Sequence, residues 1–275
     1  MAWRWPTLAA LGLIAAPPLA AQSAADARWL AECREGHDYW QVERHWQLEH
    51  CEVRVSVLAA GGTLTIDPGT NGGVAVEGWD RDSVEVHARI QTHAPSDTEA
   101  VAIARDIQVI TTGRSIGVRG PATGRRANWG VSFVVYTPRH SDLRVGTYNG
   151  PIAVRELHGR IELTAHNGPV QLDGVGGDVR VRATNGPLEI TLVGARWDGQ
   201  GLDAETTNGP VSLAIPEGYS AELEFGTVNG PMTLDFPLTV TIQGRVGRHI
   251  TTKLGAGGAT VRAVTTNGPV EIRRN

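Results

Sequence analysis

One tripeptide limits what this chain can become. Asn-Gly-Pro begins at Asn149, Asn167, Asn185, Asn208, Asn229 and Asn267, at steps of 18, 18, 23, 21 and 38 residues. Units of about 20 residues cannot bury an apolar face alone, so such a period marks a stack. The flanks repeat with the tripeptide. Six and four residues before the early asparagines stand Leu143 and Val145, Ile161 and Leu163, Val179 and Val181, Leu202 and Ala204. Three and five residues after them stand Ile152 and Val154, Val170 and Leu172, Leu188 and Ile190, Val211 and Leu213. Thr147, Ala165, Ala183 and Thr206 lie two before, and Leu157, Val175 and Val193 eight after. The last repeat keeps Val261, Ala263, Thr265, Val270 and Ile272. Alternation of this kind turns one face of each strand inward. The expected fold class is all-β: a parallel β-solenoid with two strands per coil of roughly 18 residues. An antiparallel meander would also alternate, but it would not need like residues at like positions coil after coil. The 38-residue step reads as one degenerate coil between Asn229 and Asn267.

The tripeptide has a physical reading of its own. Each Asn falls in phase with the inward positions, at a corner, where its amide can form a ladder with the Asn one coil away. Gly relieves crowding at the bend, and Pro starts the second strand. Asn149, Asn167, Asn185, Asn208, Asn229 and Asn267 are therefore read as structural. A row of ligand-binding asparagines is the sharper alternative. Five residues before each Asn comes Arg144, Glu162, Arg180, Asp203, Glu224 or Arg262. These outward charges largely alternate in sign, which suits a solvated face of adjacent coils, or a mixed-charge surface for polysaccharide or protein.

The N-terminal half is less regular. Residues 63–66 and 74–76 form a strand pair around Asn71-Gly72-Gly73, read as an early coil or a related hairpin. Residues 84–90, 107–112, 116–119 and 131–137 read as strands. Ser96 and Glu99 form a capping box ahead of Val101 and Ile103, which predicts one short helix over 96–105. Residues 113–128, rich in Gly and Arg, read as a loop.

Arg4, the apolar run Leu8–Ala16 and small residues ending at Ala21 read as a signal peptide over 1–21. The run is shorter than the ~20 residues of a spanning helix. No integral membrane segment is expected after cleavage, and the chain should reach the periplasm, cell surface or medium. Export makes a Cys33–Cys51 disulfide the default for the chain's two cysteines. Zinc held by these with His37, His45 or His50 is the alternative, and it matches no ligand spacing. Charges are dispersed, with 25 Lys and Arg against 29 Asp and Glu. No basic stripe marks a nucleic-acid partner. The organisation read is 1–21 signal peptide, 22–60 disulfide-containing segment and 61–275 solenoid domain, with regular coils over 141–275.

Val134-Val135-Tyr136-Thr137-Pro138, then Leu143-Arg144-Val145, then the repeated Asn-Gly-Pro resemble the putative-adhesin family of bacterial envelope proteins. The likeness runs from about Gly61 to the C-terminus. It implies a β-solenoid and an adhesin-like role, and it brings no catalytic motif. The segment holding Cys33 and Cys51 departs from it.

Two functions from different classes follow. The first is a noncatalytic exported adhesin-like or scaffold module, with an envelope polysaccharide or a surface protein as partner and no cofactor. The alternative is a carbohydrate-active β-helix enzyme, which needs converging carboxylates. Its candidates are Asp173, Asp178 and Glu189, or Asp203 and Glu205, all at outward positions. Asp67, Asn71, Asp80 and Asp82 could hold calcium but lack a loop spacing for it. No Gly-x-Ser-x-Gly elbow is present, and His158 and His166 read as surface residues.

Overall fold

The computed structural model describes residues 19–35, 48–234 and 249–275. Most of the signal-peptide reading, together with His37 and His45, falls outside them. Helix α1 (Leu19–Glu35) is followed by strands β1 (Leu48–Ala59), β2 (Leu64–Asp67), β3 (Val74–Trp79) and β4 (Ser83–Ala94). Helix α2 (Asp97–Asp106) leads into β5 (Gln108–Thr112), β6 (Ser115–Arg119) and β7 (Asn128–Pro138). The regular coils then pair β8 (Leu143–Asn149) with β9 (Ile152–Arg155), β10 (His158–Asn167) with β11 (Val170–Asp173), and β12 (Gly176–Asn185) with β13 (Leu188–Thr191). They continue with β14 (Gly201–Asn208) and β15 (Val211–Ile215), then β16 (Ala221–Asn229) and β17 (Met232–Leu234). Last come β18 (His249–Leu254), β19 (Thr260–Asn267) and β20 (Val270–Arg274).

These strands make two sheets of ten. One runs β1-β4-β7-β3-β9-β11-β13-β15-β20-β17, the other β18-β16-β19-β14-β12-β10-β8-β2-β6-β5. Neighbouring coils pair in parallel with like positions opposed: Leu143, Ile161, Val179, Leu202 and Val261 form one file. Ile152, Val170, Leu188, Val211 and Val270 form another on the facing sheet. All ten of these side chains are buried, and a single apolar core runs between the sheets. The regular coils thus form the parallel solenoid and not a meander, while β1, β4 and β7, and β5 with β6, pair antiparallel at the N-terminal end.

The corner explains the tripeptide. Each Asn carbonyl accepts from the Gly N–H of the preceding coil in the stack, as Gly150 N to Asn167 O at 2.9 Å. Each Pro carbonyl accepts from the residue after that coil's Pro, as Ile152 N to Pro169 O at 2.9 Å. The ladder therefore crosses the corner without needing an N–H from Pro. The glycines stack so closely that a Cβ on Gly186 would lie 2.0 Å from the Gly168 carbonyl oxygen. Close approach of backbones, coil to coil, is what demands Gly here. Buried threonines two residues before the Asn complete the hydrogen bonding: Thr206 Oγ1 donates to Gly186 O at 3.0 Å and Thr265 Oγ1 to Gly209 O at 2.9 Å.

Four expectations need correction. The asparagines do not point inward: Asn185 and its counterparts stand exposed on the corner, apart from the half-buried Asn167. At a corner a side chain in phase with the core has turned past the edge of both sheets. The last repeat does not close the stack either. β19 lies between β14 and β16, and β20 between β15 and β17. The order of the asparagines along the stack is therefore 71, 149, 167, 185, 208, 267, 229. Residues 235–248 of the expected degenerate coil lie outside the described residues, and β18 from the same stretch runs antiparallel along β16. In the third regular coil Leu192 is buried and Val193 is 47% exposed. This longer coil turns there to bring in buried Trp197, whose Nε1 donates to Gly177 O at 3.0 Å.

The fourth correction is a second helix. α2 is the one expected: Ser96 caps it, accepting from Glu99 N at 3.2 Å, and Ala100, Ile103 and Ala104 enter the core. The additional helix is α1, an alanine-rich segment with good helix propensity. Spacing at 26, 29 and 33 puts Asp26, Trp29 and Cys33 on one side of it. Asn71, for its part, belongs to an early coil, since β2 pairs with β8 and β3 with β9, both in parallel.

Candidate binding surface

The corner carries an amide ladder. Asn149 Nδ2 donates to Asn71 Oδ1 at 3.1 Å, Asn167 to Asn149, Asn185 to Asn167 and Asn208 to Asn185 at 2.9 Å, Asn267 to Asn208 and Asn229 to Asn267 at 2.8 Å. Beside it, on the outer face of the second sheet, runs the residue preceding each Asn: Thr70, Tyr148, His166, Thr184, Thr207, Thr266 and Val228 in stack order. Tyr148, 53% exposed, stacks on His166 with ring centres 4.7 Å apart.

Further out on that face is the charge file. In stack order it reads Arg144, Glu162, Arg180, Asp203, Arg262, Glu224, strictly alternating. Arg144 reaches Glu162 at 2.8 Å, and Arg262 reaches Asp203 at 2.7 Å and Glu224 at 3.1 Å. Burial works against the Asp203 charge, but hydrogen bonds from Arg182 and Arg262 outweigh it and hold the carboxyl below its ordinary range.

Each carboxylate weighed for catalysis has a partner in a neighbouring strand. Glu205 meets Arg262 at 3.3 Å, Asp173 meets Arg155 at 3.8 Å and Asp178 meets Arg160 at 3.8 Å. Glu189 accepts from Gln171 Nε2 at 2.8 Å. Asp173 and Glu189 lie on one sheet, Asp178, Asp203 and Glu205 on the other. The calcium candidates are similarly dispersed: Asp67 Oδ1 takes the Gly69 N–H at 2.8 Å, Asn71 belongs to the ladder, and Asp80 pairs with Arg139 at 2.8 Å. His158 packs against His140, the rings tilted with centres 5.6 Å apart, and faces Asp198 at 3.5 Å, along an open groove of about 540 Å³ lined by Gly61, Gly159, Gly177 and Gly199 among others.

A polar cluster that sequence reasoning missed lies under α1. His87 on β4 is buried between Asp26 of α1 and Glu85, with its Nε2 2.7 Å from Glu85 Oε1 and its Nδ1 against Asp26 Oδ2. Arg89 Nη2 meets the other Asp26 oxygen at 2.9 Å. Trp79 stacks on Tyr136 beside them, at 5.5 Å. Desolvation opposes a charge on His87, yet its bonds to Asp26 and Glu85 prevail and raise its pKa. Asp26 is likewise desolvated, and His87 and Arg89 overcome this to lower its pKa. The one available signal was the polar alternation of Glu85, His87 and Arg89 on a strand, which alone reads as a solvated face. Cys33 at the end of α1 and Cys51 on β1 are at disulfide distance. With Glu49 they are the one group of clustered metal-type ligands among the described residues.

Two mixed sheets whose coils stack in parallel, joined at an asparagine corner, define the class as a parallel β-solenoid. Within it residues 138–273 match the model of the family Toastrack DUF4097. Several solved structures are similar to the chain. A putative cell adhesion protein from Clostridium sporogenes ATCC 15579 has 7% identity and a TM-score of 0.41, covering 82% of this chain and 100% of its own. A putative adhesin from Bacteroides fragilis NCTC 9343 has 11% identity and a TM-score of 0.31, covering 82% and 97%. One from Parabacteroides merdae ATCC 43184 has 8% identity and a TM-score of 0.37, covering 80% and 96%. No curated protein matches the chain significantly. Among the described residues no helix is long and apolar enough to cross a membrane.

Proposed function

We propose that the protein is an exported, noncatalytic envelope module that binds a polysaccharide or a surface protein along its solenoid. The observation that carries this reading is the pairing of the candidate carboxylates: each is engaged by a cation or amide on a neighbouring strand. Most glycoside hydrolases use two carboxyl groups converging on one bond, one of them kept protonated. The outer faces instead repeat polar side chains at each coil, which suits an extended ligand. The N-terminal pattern ending at Ala21 and the Cys33–Cys51 pair support export.

A binding screen of the mature protein against glycans and envelope extracts tests it, with reducing-end release followed in parallel. Retention of an envelope component without release of sugar ends is expected. Steady release of reducing ends would overturn the reading in favour of a carbohydrate-active enzyme. Mass spectrometry of protein recovered from the periplasm or medium should find a chain beginning near Gln22, and intact Met1 there would count against export.

A further inference from the structure

We propose that the Asn-Gly-Pro corner is the binding site, and that its ligand is an extended, neutral polysaccharide lying along the stack. The proposal rests on the binding-module reading and names its ligand class. Its first support is the state of the amides. An Asn side chain has two N–H donors and an oxygen with two lone pairs. The ladder uses one of each in Asn149, Asn185, Asn208 and Asn267. The remaining donor and lone pair face solvent, because these side chains are exposed. A coil repeats about every 4.8 Å, so the stretch of stack from Asn149 to Asn267 presents this donor–acceptor row over roughly 19 Å.

The second support is independent of the amides. The file beside them, Thr70, Tyr148, His166, Thr184, Thr207, Thr266 and Val228, carries hydroxyls, rings and a methyl-bearing side chain but no carboxylate, Lys or Arg. The formal charges of this sheet nearest the strip lie further from the corner, in the files of Arg144 and Arg182, and there opposite signs pair across coils. An acidic polymer would find no net cation on the strip. A chain of hydroxyls finds donors and acceptors in equal number. Tyr148, exposed and stacked on the half-buried His166, adds an aromatic edge beside the row against which the C–H groups of a sugar can pack.

The test uses full-length mature protein and cellohexaose, a straight neutral hexasaccharide, with polygalacturonate as the acidic comparison. Cellohexaose should bind and polygalacturonate should not. Tyr148→Ala and Thr184→Asp should each weaken binding about tenfold or more, whereas Tyr148→Phe and Thr164→Asp, off the strip, should stay within about twofold. Melts establish that each variant is folded. Should Thr184→Asp not fold, the exposed Tyr148 pair decides. Undiminished cellohexaose binding by Tyr148→Ala would overturn the site while leaving the binding-module reading intact. Tighter binding of polygalacturonate, or retention of envelope extract without cellohexaose binding, would overturn the ligand class alone. Shortening of cellohexaose would overturn both.

Discussion

Val181 and Arg180 are neighbours in the chain and opposites in environment. Val181 is 1% exposed in the core, while the Arg180 side chain is 64% exposed. Val181→Asp should cost several kcal/mol, because an unpaired ion would be buried. Arg180→Glu should cost less than about 1 kcal/mol, since exposed pairs contribute little. Denaturant melts of the two variants check this, and equal losses would mean that the faces are assigned wrongly. His87 offers a residue-level test of pH. Its folded pKa is raised, so the stability it contributes is fully present below the ordinary value of 6.5 and fades as pH rises through the folded value. Asp26 is lowered, so its contribution is present above 3.8 and fades as pH falls through its folded value. The groups facing His87 are Asp26 from α1, Glu85 and Arg89 from β4, and Tyr136 from β7. His87→Gln should cost on the order of 3 kcal/mol at mildly acidic pH, by stripping Asp26 and Glu85 of a buried partner. The melting gap to wild type should narrow as the solution turns alkaline, and a gap independent of pH would refute the protonated ring.

Among the elements, the C-terminal coil is the one whose place differs most from its position in the chain. Read along the chain, the outward charges run Arg144, Glu162, Arg180, Asp203, Glu224, Arg262, with two acids together. Read along the stack, Arg262 separates those acids and the alternation is unbroken. Cysteine pairs give a direct check. Asp203→Cys with Arg262→Cys should cross-link in the full chain, because adjacent strands lie about 4.8 Å apart. Asp203→Cys with Glu224→Cys should not, because β19 between them doubles the spacing to roughly 9.6 Å, beyond disulfide reach. The reverse pattern would remove the inserted coil. Helix α1 is tied down by a different device. Thiol labelling of the denatured, unreduced protein should find neither Cys33 nor Cys51 free, and reduction should cost about 3 kcal/mol for a loop of this length.

At the scale of the whole molecule, stability should behave as a sum of coils and their interfaces. Coils β8 to β13 have a neighbour on each side from the continuous run of the chain. Among the described residues, the strands β16, β17 and β18 are laddered to that run through β19 and β20, with one bridge from Ser220 to the 195–196 turn besides. Removing residues 260–275 should therefore abolish hydrogen-exchange protection in β16 to β18 while leaving β8 to β13 protected. Protection persisting in β16 would show that it does not depend on β19. The opposite end is built on a similar detour: the chain makes β2 and β3, runs outward through β4 to β7, and returns to lay β8 against β2.

Much of this was legible in the sequence because a solenoid stacks identical positions. The inward files, the paired strands, the α2 cap and the amide ladder all follow from residues within one repeat and its nearest neighbour. The outward charge order was also written there, in the broken alternation at Asp203 and Glu224, though chain order concealed its meaning. What local pattern could not convey is which coil lies beside which when the chain doubles back. Parallel coils of the same register present the same backbone edge, so several neighbours satisfy the ladder equally, and long-range charge and packing choose between them. The exposure of the asparagines depends on how sharply the two sheets meet, not on alternation. The ionic cluster at Asp26, Glu85, His87 and Arg89 depends on a helix folding back over a distant strand. Only the tertiary structure brings those groups out of water together, and that is what turns a polar face into a buried one.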